Sequence, residues 1–372
     1  MTKTDYFLST CFVISLCSAT TAFGQGNGVS EGEKFFESET FGGNGRTCRT
    51  CHSKSTGTTS PADAQQLFKT HPANPLFLGD GSDDGFGNGT TRIRQHATII
   101  IRIPLASNVK LSANPLATHV TVNRGIPTTL NTPALDPILM YDGRQPTLQA
   151  QAAGAIQDHA QGVVPSQDIL TRIKNYQLTE KFFSSDETRS FAAGGPAPGL
   201  PRGDTDSEKR GRIFFEDVLD FDNPKHGFCA ACHAGPMLNQ TNAFLEAIGG
   251  PPAGSRFQNI LISERNVIGN PVQDFVFNPG LNQEIVSSPD IGRAAITGVP
   301  PSQDPTGSHV NAFKIPQLRG IRDTGPYFHD NSAKTVEDVL THYAFFFNVV
   351  TGGLDLSEQD KKDIVAFLKL LR

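Results

Sequence analysis

Apolar residues come in aromatic pairs and helical stripes, and two of these pairs share the same setting. SEGEKFFES opens at Ser30 and carries Phe35 and Phe36 behind a polar first turn. DSEKRGRIFFEDV repeats the pattern with Phe214 and Phe215. Each reads as a short amphipathic helix. Near the end, LSEQDKKDIVAFLKLLR sets Ile364, Phe367, Leu368 and Leu371 at helical spacing, and Ser357 with Asp360 predicts a capping box at its start. FAAGGPAPGLPRGDTDS (191–207) is dense in glycine and proline, the composition of a linker. At the other end, FLSTCFVISLCSATTAF (7–23) follows Lys3, with small residues around Ala22 and Gly24. This predicts a signal peptide over 1–24, cleaved near Gln25 for export to the periplasm. The run is too short and too rich in Ser and Thr for a membrane span.

The pattern predicts a mainly α chain in two halves, 25–190 and 208–372. A length of 372 residues suits two domains. The net charge of −5 argues against nucleic acid or an anionic membrane surface as partner. Charged residues are only 19%, beside 36 glycines and 25 prolines, which suits long loops around cofactors that replace part of the core.

The cysteines say what those cofactors are. Cys48, Cys51 and His52 in CRTCHSK, and Cys229, Cys232 and His233 in CAACHAGPM, both spell Cys-X-X-Cys-His, the attachment signal for c-type haem. Four of the six cysteines are thereby used, and Cys11 and Cys17 lie in the signal. The competing reading, a four-thiolate zinc site, leaves the histidine after each pair and the export signal unexplained. Two covalent haems c follow, with His52 and His233 each binding an iron from one side. The Phe pairs then precede each motif as packing for its haem. A loop, GDGSDDGFGNGTT (79–91), puts Asp80, Ser82, Asp84 and Gly85 at calcium-loop offsets, but Thr91 stands where the bidentate glutamate belongs. A solvated glycine-rich loop is the expected reading.

With the doubled motif, the segments RGIPTTLNTPALDPILMYDGRQPTLQAQA (124–152) and FKIPQLRGIRDTGPYFHDNSAKTVEDVLTHY (313–343) resemble the bacterial di-haem cytochrome c peroxidase family, which includes the MauG-type enzymes. The resemblance implies two cytochrome-c-like domains, each holding a covalent haem. It implies an N-terminal haem, open or displaceable at its sixth position, that meets hydrogen peroxide. The C-terminal haem passes electrons or shares oxidising equivalents. A calcium between the domains is implied through the backbone of Thr324 and Pro326, and a homodimer is common in the family. Tyr343 stands where some members carry a ligating methionine and the MauG-type members a ligating tyrosine. Met237 is only four residues from His233, too short a tether to reach the opposite haem face. The remaining readings are Tyr343 as a tyrosine packed on the haem edge, or ligation by the neighbouring His342.

Departures from the family pattern matter as much. Tyr141 replaces the tryptophan between the haems, and the chain contains no tryptophan at all. Gly125 replaces the asparagine that often binds calcium. Gln151 matches the pocket glutamine, but Gln161 stands in place of the catalytic glutamate and cannot shuttle a proton. His159, two residues earlier, offers an imidazole that can both take and give a proton near neutral pH, or one bonded to a carbonyl or haem carboxylate. His119 lies near where some members carry a detachable distal ligand. The expectation is an exported oxidoreductase that reduces hydrogen peroxide or uses it to oxidise a partner. That partner is a small redox protein (a cytochrome c or cupredoxin) or an oxidisable protein. The alternative is a non-catalytic di-haem electron-transfer cytochrome.

Overall fold

The computed structural model describes residues 25–372 apart from 132–134, 219, 221, 281 and 352–354, and only the backbone of 25–30. The expected signal peptide with Cys11 and Cys17 lies outside the described residues. Among the described residues no helix is long and apolar enough to cross a membrane.

The two Phe-pair segments are helical. The first helix runs Gln25–Glu37, beginning earlier than Ser30, and crosses the helix Gln167–Thr179. A Cβ on Gly32 would lie 2.3 Å from the Arg172 carbonyl oxygen, so only glycine lets the two backbones approach this closely. The second helix, Asp206–Arg212, starts from a capping box between Thr205 and Glu208 and continues as a 3₁₀ turn over Ile213–Phe215. It crosses the helix Glu358–Leu368 in the same manner, a Cβ on Gly211 lying 1.9 Å from the Asp363 carbonyl oxygen. Each crossing glycine sits three residues before its Phe pair, so the repeated unit is Gly-X-X-Phe-Phe. Phe36, Phe214 and Phe215 are buried. The predicted capping box at Ser357 and Asp360 is present, and Ile364, Phe367, Leu368 and Leu371 are buried as the stripe requires.

The chain is about 37% helical, with some sheet that the helical stripes do not announce. Thr98–Pro104 pairs antiparallel with His119–Gly125, from Thr98 opposite Gly125 to Pro104 opposite His119. Ile99, Ile101 and Ile103 point inward at period two, while Arg102 and Pro104 are exposed. Phe257–Gln258 pairs with Phe313–Lys314. The third sheet joins the halves: Val109–Leu111 pairs with Gln273–Phe277, which pairs in turn with Glu284–Ser288. Ile99, Ile101, Ile103 and Val122 accordingly share one core with Phe275, Phe277, Ile291 and Ala294. The halves do not keep fully separate cores. The linker stretch carries no regular element between Ala192 and Asp206, and the buried Arg319 pins it by donating to the Pro198 and Gly199 carbonyls at 2.6 and 3.3 Å.

Candidate functional site

The two Cys-X-X-Cys-His loops are built alike. Cys48–Cys51 forms one helical turn behind a Thr47/Thr50 capping box, and Cys229–Ala231 forms a 3₁₀ turn. In each, the histidine that follows anchors its Nδ1 on a carbonyl five residues on: His52 to Gly57 at 2.7 Å, His233 to Leu238 at 2.8 Å. A carbonyl can only accept, so each ring carries its proton on Nδ1, the tautomer in which Nε2 is the nitrogen able to ligate. Burial pushes both imidazoles down to about 4, against the opposing pull of the Gly57 carbonyl on His52 and of the Leu238 and Pro316 carbonyls on His233, which keeps them neutral. Burial pushes the thiols of Cys48, Cys229 and Cys232 up to about 12 and that of Cys51 to about 11. Such surroundings favour neutral sulfur, as in a thioether, over thiolate. Among the described residues no three His, Cys, Asp or Glu side chains gather as a metal-binding group, so the two pairs do not form one four-thiolate site.

Both loops open onto one continuous cavity of about 2460 Å³, its solvent-open parts included. Cys48, Cys51 and His52 line one part, and Cys232, His233 and Tyr343 another. Arg124, Arg144 and Lys314 line it too, cations suited to the carboxylates of a porphyrin. Three buried oxygens on lining residues, Asp136 Oδ1, Gln258 Oε1 and Gln317 Oε1, have no hydrogen-bond partner. Unpaired buried acceptors are costly and call for a donor, which an ionised porphyrin carboxylate does not supply, so the fit to haem rests on the two motifs and the lining cations. The residues present fit haem at both motifs.

Tyr343 reaches the cavity from the helix Val336–Thr351, one turn from Val339 on the same face. Burial, and then the charge of the Cys232 and Cys229 sulfurs, pushes its phenol well up from the ordinary value. A thioether sulfur would drop the second effect, and an adjacent iron cation would oppose the first. His342 has no free nitrogen: Nε2 donates to the Ile260 carbonyl at 2.7 Å, and Nδ1 accepts from Arg265 Nη1 at 3.0 Å. Met237 is buried and does not line the cavity. His119 is exposed at a strand end beside Thr118 and is also absent from the lining.

The wall facing His52 comes from the helix Leu148–Asp158. Leu148, Gln151, Ala152, Ala155, Ile156 and the C-cap His159 follow one helical stripe along the cavity. Gln151 and His159 therefore look the same way. Gln161, expected in the pocket, is not there: the chain turns through a positive φ of 52° and leaves it exposed outside the lining. His159 Nδ1 bonds to Asp80 Oδ2 at 2.6 Å, and its carbonyl accepts from Asn44 Nδ2 at 3.0 Å and Arg46 Nη1 at 3.1 Å. Burial pushes the Asp80 carboxyl up, but the hydrogen bond from His159 and the charge of Arg46 outweigh it and hold the carboxyl below its ordinary value.

Asp80 lies in the loop that imitates a calcium site, which is why its spacing misleads. The other carboxylates there face backbone N–H groups. Asp83 caps the helix Thr91–His96 through Thr91 N and Arg92 N at 2.9 and 2.8 Å. Asp84 Oδ1 accepts from Phe86, Gly87 and Asn88 N at 2.8, 3.0 and 3.0 Å.

Tyr141 also lines the cavity, its carbonyl accepting from Lys314 N at 2.7 Å. Burial raises its phenol strongly, against the pull of Arg124. Behind it, buried Arg124 donates to Asp290 Oδ2 and Oδ1 at 2.6 and 2.9 Å and to Asp142 Oδ2 at 2.7 Å, while Arg144 donates to the same Asp142 oxygen at 2.7 Å. His329 stacks on Phe313 at 3.5 Å.

Thr324 and Pro326 line the cavity as well. The position that would add a side-chain oxygen is Gly125, and a Cβ there would lie 2.1 Å from Asn331 Oδ1. The Asn331 amide fills that space, its Nδ2 donating to the His96 and Ala97 carbonyls at 2.9 and 3.0 Å. Gly125 therefore contributes no side-chain ligand, and the side-chain oxygen packed against it is Asn331 Oδ1.

Two Cys-X-X-Cys-His loops thus share one cavity, with Tyr343 lining it from a helix. Comparison with known proteins bears out the resemblance to the cytochrome c peroxidase and MauG group. The chain is 28% identical over 262 residues to cytochrome c551 peroxidase of Nitrosomonas europaea, covering 66% of this chain and 64% of that protein. It is 37% identical over 73 residues to MauG of Methylorubrum extorquens, covering 16% of this chain and 19% of MauG. A solved MauG-like protein associated with microbial copper homeostasis shares the fold at a TM-score of 0.50 and 17% identity, over 92% of this chain and 88% of that one. No protein-family model matches the chain.

Proposed function

We propose that the protein is an exported di-haem c-type oxidoreductase that reduces hydrogen peroxide or uses it to oxidise a redox partner. Cys48, Cys51 and His52 would hold the first haem, and Cys229, Cys232, His233 and Tyr343 would hold the second. The observation that carries this is the duplicated histidine geometry, two imidazoles each with Nδ1 tied to a carbonyl five residues on, both lining one cavity.

When bound, haem supplies an iron that takes up peroxide and exchanges electrons. The chain supplies proton handling. His159 Nε2 takes the proton of the near peroxide oxygen and returns it to the far one, which leaves as water. Overall, one hydrogen peroxide, two protons and two electrons give two water molecules, the electrons coming from the redox partner. The Gln151 amide orients peroxide by hydrogen bonding. Tyr141 lines the cavity; its phenol sheds a proton only with difficulty, so it releases an electron only where a base receives that proton. A phenolate from Tyr343 favours ferric and higher oxidation states of the second iron.

Mass spectrometry of the purified protein should find two covalent haems, with Cys48/Cys51 and Cys229/Cys232 modified. EPR of the oxidised protein should then change on adding stoichiometric peroxide. A spectrum of two six-coordinate low-spin centres, inert to peroxide, would make it an electron-transfer cytochrome instead.

A further inference from the structure

We propose that Asp80 is the positioning residue for proton transfer in the peroxide pocket, fixing the tautomer and the aim of His159. The proposal rests on the peroxide chemistry assigned to the first haem and extends it to a residue outside the matched family positions.

The geometry is specific. Asp80 Oδ2 meets His159 Nδ1 at 2.6 Å. A carboxylate accepts only, so Nδ1 carries the proton and Nε2 is the ring atom left to accept one. The other carboxylate oxygen is held by Arg46, which is buried and donates also to the Pro75 carbonyl at 2.9 Å and the Leu76 carbonyl at 3.3 Å. Arg46 further holds the His159 carbonyl at 3.1 Å. One guanidinium, two residues before the first haem cysteine, thus fixes both the backbone of His159 and the partner of its ring. Charged and titratable groups that act on His159 include Asp80, Arg46 and His52.

When His159 takes a proton on Nε2, both ring nitrogens become donors and the ring becomes a cation. Asp80 is then its counter-charge, already in place and needing no reorganisation. Without it, the Nδ1 and Nε2 tautomers compete and the imidazolium forms beside the cationic Arg46. The glutamate missing at position 161 is in effect replaced by two residues, a base from one segment and a carboxylate from another. Both are needed because an imidazole has two equivalent ways to hold its proton and only one leaves Nε2 open.

The test uses haem-loaded protein as wild type, Asp80→Asn, His159→Ala and the double variant. Stopped-flow absorption follows the reaction with hydrogen peroxide and, separately, the association of cyanide, which arrives as HCN and must lose its proton to bind as the anion. Asp80→Asn should slow both rates about tenfold or more and move the acid limb of the peroxide profile to lower pH. In the His159→Ala background it should change neither rate. Equal rates and profiles for Asp80→Asn and wild type would overturn the proposal while leaving the peroxide chemistry standing. So would an undiminished effect of Asp80→Asn without His159, since Asp80 would then act through Arg46 alone. A wild type inert to peroxide fails the functional reading itself.

Discussion

Replacing Arg124 by methionine keeps most of the side-chain volume and removes a buried guanidinium. Three charge-assisted hydrogen bonds disappear, at 2.6, 2.9 and 2.7 Å. The consequences for the two carboxylates differ. Asp142 keeps Arg144 at 2.7 Å, whereas Asp290 retains only the Gly292 N–H at 2.9 Å. An uncompensated buried charge of this kind costs about 3–5 kcal/mol. Urea titration of the haem-loaded protein, followed by far-UV circular dichroism, should show a loss of that size near neutral pH. The pH dependence separates charge from packing. Burial raises both carboxyls in the wild type, but Arg124 outweighs it and holds them below their ordinary values. Their contribution is therefore complete above the unfolded carboxyl value of about 3.9 and is lost as pH falls through the lower folded values. In the variant, burial of Asp290 is opposed only by the Gly292 N–H and by His329, its folded value rises, and protonation relieves the buried charge. The gap between variant and wild type should thus narrow as pH drops from about 7 to about 4. Substituting Asp290→Asn in the Arg124→Met background should recover part of the loss for the same reason. A loss below about 1 kcal/mol, or a gap that widens on acidification, would show that the network does not carry the charge balance derived for it.

The second haem gives a spectroscopic counterpart. Tyr343→Met should raise its reduction potential, about 59 mV for each tenfold shift in favour of the reduced state, and Tyr343→Phe should change its spin state; an unaltered spectrum and potential in both variants would make the tyrosine packing only. Chelation of calcium with EGTA should leave the absorption and EPR spectra unchanged, because the Asn331 amide fills the space beside Gly125 where a side-chain ligand would stand. A reversible spectral change on calcium removal and return would refute that.

What was legible in the sequence was what is local. The Cys-X-X-Cys-His spacing, the capping box at Ser357 and Asp360, and the buried stripe ending at Leu371 each depend on residues within a few positions of one another. The features that escaped depend on distant segments. Asp80 meets His159 across 79 positions, and its own neighbours imitate a calcium loop well enough to suggest another role. Arg124 stood in a segment resembling the family, but its partner Asp290 is 166 positions away. TIIIRIP carries strand-forming residues at period two, yet only its pairing with His119–Gly125, beyond a second turn of chain, makes it a strand rather than one more apolar run. Gln161 shows the converse. Position 161 was expected in the pocket from the resemblance, and one backbone turn at a positive φ of 52° leaves its side chain exposed outside the cavity lining.

The strand pairing between Val109–Leu111 and Gln273–Phe277 bears on how the molecule can be taken apart. The linker offers an accessible place to cut, but a cut there would release neither half, because a piece of the second is stitched into the core of the first. A nicked chain should stay together until it unfolds. An ancestor can duplicate a haem-binding unit, but once its descendants interleave strands in this way the units cease to be cassettes. Exchanging one half with a relative would leave Ile101 and Phe275 without the partners that shaped them.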